Sequence, residues 1–114
     1  MDDIVAQIAN QTGIEPSVAK RAVGIIVAFL SREGPQPQVQ ALIDGMPGAR
    51  ALADEHGGSG SGLMGVYGDL AGVGLGMGEI QSVTRSFVTL ARARVGEDKV
   101  DAVVGAIPGL SQFV

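Results

Sequence analysis

At 114 residues the chain has the length of one domain, able to bury about two thirds of its unfolded surface without staples. It has no Cys, so no disulfide is available. A net charge of −4 and a pI near 4.7 argue against a dedicated nucleic-acid binder, which needs a basic face to neutralise phosphates. The best uncharged apolar run, Ala22 to Leu30, falls well short of the roughly 18 apolar residues of a membrane span. Met1 is followed by Asp2 and Asp3, where a secretory signal requires a basic start and an apolar run. A cytoplasmic location is the expectation.

Asp2 and Asp3 favour a helix start, and Ile4, Val5, Ile8 and Ala9 fall on one face at helical spacing. Gly13 ends that helix. Pro16 sets φ for the first position of a second one. Its inward face is Ala19, Ala22, Val23, Ile26, Phe29 and Leu30, with Lys20, Arg21 and Arg32 outside, and Gly34-Pro35 stops it. Gly24 sits in its middle, where glycine costs about 1 kcal/mol relative to Ala. Close approach of another helix backbone is the expected compensation. Pro37 opens a short third helix with Val39, Leu42, Ile43 and Met46 inward, Pro47-Gly48 punctuates, and Ala49 to Glu55 gives further helical turns.

From Gly57 to Gly78 glycine recurs at ten positions: 57, 58, 60, 62, 65, 68, 72, 74, 76 and 78. Residues 56 to 62 have the composition of a flexible linker. Beyond them Leu63, Met64, Val66, Tyr67, Leu70, Val73 and Leu75 interleave with the glycines. A short helix near 63 to 71 is expected there, packed closely because Gly65 and Gly68 lack side chains. Glu79 to Arg94 reads as a long helix with Ile80, Val83, Phe87, Leu90 and Ala91 inward, capped by Gly96. Val100, Val103, Val104 and Ile107 mark a last short helix before Pro108-Gly109, Leu110 and Phe113.

The two halves resemble each other. Pairing Pro47-Gly48 with Pro108-Gly109 fixes an offset of 108 − 47 = 61 residues. Without gaps, the same offset pairs Gly13 with Gly74, Ala19 with Ile80, Ala22 with Val83, Ile26 with Phe87, Phe29 with Leu90, Val39 with Val100, Ala41 with Ala102 and Met46 with Ile107. The inward faces coincide, as expected of a duplicated unit in which each copy buries the apolar face of the other. The expected fold is therefore all-α. Two similar helical units (long helix, turn, short helix, Pro-Gly) form one compact bundle and a single domain over 1–114: a first unit at 1–56, a glycine-rich joint at 57–74 and a second unit at 75–114.

The block Gly-Ile-Glu-Pro-Ser-Val-Ala-Lys-Arg-Ala-Val-Gly-Ile-Ile at 13 to 26, an apolar helix ending near Met46-Pro47-Gly48, a glycine-rich middle and a second helical block from Leu75 together resemble the VcgC/VcgE-type family of small uncharacterised bacterial helical proteins. The resemblance implies an all-helical fold. It implies no known activity, and no functional residue is carried over from it.

Few residues are candidates for chemistry. His56 follows Asp54 and Glu55, but adjacent side chains rarely converge on one metal ion, and a His before a glycine run reads as a helix terminus. Gly60-Ser61-Gly62-Leu63-Met64-Gly65 matches the dinucleotide pattern GxGxxG by letter, without the strand that pattern needs before it. In a chain with 18 Gly the match is close to a chance one. Ser59 and Ser61 do not satisfy the GxSxG elbow. Glu97, Asp98 and Asp101 read as the acidic first turn of a helix. The basic clusters Lys20-Arg21 and Arg85, Arg92, Arg94 read as solvated helix faces.

No catalytic, cofactor-binding or metal-binding residue is assigned, and no enzyme is expected. The expected function is a non-enzymatic interaction or structural module that self-associates as a homodimer. The alternative is a carrier of a small apolar ligand or lipid, with a cavity between the two helical units. An apolar pocket favours the carrier, whereas an exposed apolar patch without a cavity favours the module.

Overall fold

The structure, a computed structural model, describes residues 2–57, 62–107 and 109–110. Seven α-helices and no strand occur among them: α1 (Asp2–Thr12), α2 (Pro16–Glu33), α3 (Gln38–Asp44), α4 (Ala49–His56), α5 (Gly62–Gly72), α6 (Met77–Val95) and α7 (Glu97–Ala106). The all-α expectation is met. Of residues 56–62, expected to be a flexible linker, His56 ends α4 and Gly62 begins α5, while 58–61 lie outside the described residues, as do Pro108 and Phe113.

Local chemistry explains most boundaries. Pro16 occupies the start of α2 after an extended Glu15, and Pro37 is the residue from which α3 departs. At the start of α6 the Gly76 N–H donates to Glu79 Oε1 over 2.9 Å, so an acidic side chain satisfies one of the amides that the first turn leaves without a helical partner. The helix begins at Met77, two residues before the expected start. Gly48, in the left-handed region at φ 92°, turns the chain into α4.

α2 is the axis of the molecule, packing against α1, α3, α4, α5 and α6. Its burial is wider than a single stripe: Gly24, Ile25 and Val27 are buried along with the six predicted inward residues. Gly24 accounts for the closest of these contacts. A Cβ built there would stand 2.5 Å from the Leu52 carbonyl oxygen and 2.8 Å from His56 Cβ, so the glycine is what lets α4 lie directly on α2. The compensation expected for a mid-helix glycine is thus backbone approach by α4.

The remaining helices close around this axis. α1 packs on α6 as well as α2, α5 lies on α2 and to a lesser extent α6, and α3 meets α7. One continuous apolar core results, within a body of 31 × 27 × 25 Å. Phe29 and Phe87, both essentially inaccessible to solvent, are its largest side chains. Met46 is buried as expected, although it lies beyond the end of α3. Leu90 is only half-buried, while Thr84 and Val88 are buried on α6 instead. Thr84 is accommodated because its hydroxyl donates to the Ile80 carbonyl over 2.8 Å, the i−4 bond available to a helical Thr.

One packing expectation is corrected. The sequence predicts that Gly68 lets α5 pack closely, but a Cβ there would meet no described residue within 4 Å, and the residue is exposed. α5 buries Val66 and Leu70 instead and turns its glycines at 68 and 72 outward. The period of the apolar residues, rather than the glycines, decides which face docks.

Candidate functional site

An apolar cavity of about 40 Å³ lies in the core where the two halves of the chain meet. α2 contributes Ile26, Phe29 and Leu30 to its wall, and α6 contributes Ile80, Thr84, Phe87, Val88 and Ala91. Val100, Val103 and Val104 of α7 close one side, while Val66, Tyr67 and Leu70 of α5 close another; Leu42 and Leu110 complete the lining. These positions follow from helical spacing on each element, since each presents its i, i+3, i+4 stripe to the centre. Ile26 and Phe87, predicted at matching positions of the two units, both face this space.

The chemistry of the wall is narrow. Among the described residues it contains no charged side chain, and its polar side chains are Thr84 and Tyr67. The Thr84 hydroxyl is already committed to the Ile80 carbonyl. A buried water needs two to four polar partners, and cavities lined by aliphatic and aromatic groups stay dry and accept apolar guests. Such a wall suits an uncharged, apolar molecule: a carboxylate or ammonium buried here would have no counter-ion.

A second, more polar cleft of about 180 Å³ runs between α2, α3 and α4, with Ser31, Arg32, Arg50 and Asp54 at its edge. Arg50 is engaged there, donating from Nη2 to Gln40 Oε1 over 2.6 Å and to Asp44 Oδ1 over 3.3 Å. With Asp44 and Asp54 beside the two arginines, the cleft has no excess positive charge with which to hold an anion.

The sequence-derived candidates for chemistry are scattered. His56 ends α4, with its Cβ over Gly24 and its Nε2 4.0 Å from Glu55 Oε2, so its evident role is to pack the last turn of α4 on α2. Among the described residues no group of three or more His, Asp or Glu is placed to hold a metal. In the GxGxxG match, Gly62 opens α5 and no strand of the described residues precedes it, while Gly60, Ser61 and Ser59 lie outside the described residues. Glu97 and Asp98 form the acidic first turn of α7.

Two of the basic residues are tied down rather than merely solvated. Arg92 donates from Nη2 and Nε to Asp101 Oδ1 over 2.7 and 3.1 Å, pinning α6 to α7. Arg94 donates to Asp3, joining α6 to α1, and this hydrogen bond holds the Asp3 carboxyl below the ordinary carboxylate value. Both contacts are exposed. They orient helices at the surface and lie apart from the cavity.

Comparison with family profiles, with curated proteins and with solved structures finds no match for this chain. The cavity is therefore the feature from which a function is argued. Sequence reading placed most of its lining in the core but missed Thr84 and Val88, which fall at i+4 and i+8 from Ile80 and continue its stripe. No helix among the described residues is long and apolar enough to cross a membrane.

Proposed function

We propose that this protein is a non-enzymatic binding module that takes up a small, uncharged apolar molecule between its two helical units. The observation that carries the reading is the composition of the cavity wall: among the described residues, fourteen of the sixteen that line it are apolar, and they come from both halves of the chain. A site that recognises its ligand by shape and desolvation has this character, whereas catalysis needs positioned polar groups.

The test is native mass spectrometry of protein purified from its own host, followed by titration of the delipidated protein with N-phenyl-1-naphthylamine, a neutral apolar fluorophore. Saturable one-to-one uptake is expected, together with a rise in thermal stability, since a ligand at 100 times its Kd stabilises the folded state by about 2.7 kcal/mol. Ala91→Leu, which fills the cavity, is expected to abolish uptake while the protein remains helical. Failure of both the host-derived and the titrated molecules to bind would overturn the reading.

The unit architecture belongs to the same proposal. We infer that the chain is an internal duplication with the 61-residue offset, and kin to the VcgC/VcgE-type proteins it resembles. Several positions support the offset: Pro16 and Met77 begin the two long helices, Gly13 and Gly74 both have positive φ, and so do Gly48 and Gly109. The helix before each long helix also lies on the other long helix, α1 on α6 and α5, in the joint, on α2.

A second reading, the self-associating module, is favoured by Met64 and Met77, which are 83% and 76% exposed on α5 and at the start of α6. Similar units that pair within a chain can pair between chains as a two-fold dimer. Sedimentation at several concentrations checks this, and a monomer throughout the micromolar range would sink it.

A further inference from the structure

We propose that α5 is the movable wall of the apolar cavity, a helix that swings outward to admit the ligand and is held down once the ligand is bound. The proposal rests on the ligand-binding reading above and adds how the site opens. At about 40 Å³ the cavity is much smaller than the roughly 150 Å³ dry cavity that accepts benzene. A guest of even that size requires a wall that yields.

The walls differ in how they are braced. α2 is backed by α4, α6 by α1, and α7 by α3. α5 has α2 and α6 on its inner side, and its outer side is open: Met64 projects into solvent, and added Cβ atoms at Gly68 and Gly72 would meet nothing within 4 Å. Among the described residues nothing there obstructs an outward movement.

α5 is also intrinsically the weakest of these helices. Four of its eleven residues are glycine, and the two in its interior, Gly65 and Gly68, each lower the helix equilibrium about fivefold relative to Ala. Among the described residues, its apolar docking on the core is by Val66, Tyr67 and Leu70, the side chains it contributes to the cavity wall. A helix kept in place by docking rather than by propensity opens at low free energy. Gly74, at φ 101° between α5 and α6, supplies a pivot.

Gly68→Ala/Gly72→Ala in the full-length protein tests this, because both sites have room for a methyl group and neither residue lines the cavity. In the ligand-free wild type, amides 66 to 72 are expected to exchange with deuterium faster than those in the middle of α2 and α6. In the variant their exchange slows at least about fivefold, the step expected from Gly68 in the helix interior, and stopped-flow uptake of N-phenyl-1-naphthylamine slows with it. If α5 exchanges as slowly as α2 in the wild type, or if uptake keeps its rate while exchange slows, α5 is not the door. If neither protein takes up this probe or a host-derived molecule although α5 exchanges fast, the ligand-binding reading fails, and the opening of α5 as a ligand gate falls with it.

Discussion

α1 and α5 are both eleven-residue helices that precede a long helix and dock against α2 and α6, yet they are stable for different reasons. α1 has no glycine, an acidic first turn and the four buried residues Ile4, Val5, Ile8 and Ala9, so propensity, helix dipole and burial agree. α5 carries four glycines, no acidic residue in its first turn, and an outer face of Met64, Gly68, Ala71 and Gly72 where α1 exposes Asp2, Asp3, Gln7, Asn10 and Gln11. For α5, docking has to overcome propensity. The comparison teaches that two helices in similar places can differ in local stability while sharing one core, and the weaker one is the natural place for a core to open.

The largest expected effect sharpens this contrast. Ile8→Ala should cost about 2–5 kcal/mol of global stability, as for other fully buried Ile and Leu truncations. Leu70→Ala should cost less, because the loss is limited to the free energy of docking α5: once that helix is released, further truncation has nothing left to remove. Chemical denaturation of both variants checks it, and equal losses would break the distinction.

A smaller effect separates two kinds of helical glycine. Gly24→Ala is expected to destabilise by about 1–3 kcal/mol by forcing α4 off α2, whereas Gly68→Ala, with open space around it, should stabilise by about 1 kcal/mol. Thermal unfolding reads both, and a gain at Gly24 would mean that α4 yields without cost.

The smallest effect concerns acid. Arg94 holds the folded-state pKa of Asp3 below its ordinary value, which is about 3.9 in an unfolded chain. The contribution is therefore present above that value and is lost as pH falls through the lower folded pKa. Asp3→Asn should remove this part of the acid response of α1 and leave α5 unaffected. Exchange of the α1 amides between pH 5 and 3 follows it, and identical profiles for the two proteins would remove Arg94 as the tether. The exposure of the pair keeps the effect small.

Legibility varied with the kind of interaction involved. Ala19, Ala22, Val23, Ile26, Phe29 and Leu30 were readable as one face because the helical period places them together regardless of what they touch. The role of Gly24 was readable as a need for close approach, but its partner α4 was not, since no local signal says which helix arrives. Arg92–Asp101 and Arg94–Asp3 were hidden for the same reason. They join residues on different helices, and solvated faces and paired faces have the same composition. Thr84 is not legible as a core residue because a polar residue breaks a hydrophobic pattern unless its i−4 hydrogen bond is known.

By itself, then, the sequence determined the helices: their periods, their proline starts and glycine ends, and the apolar stripe each one carries, all of which depend on residues within a few positions of one another. Only the tertiary structure decided that α5 turns Gly68 and Gly72 to solvent, that α4 occupies the space above Gly24, and that the stripes of α2, α5, α6 and α7 meet around an apolar cavity. The physical reason is that helical periodicity is a property of the local backbone. Which stripes face one another, and whether their side chains fill the space between them, depends on volumes and contacts summed over residues distant in the chain.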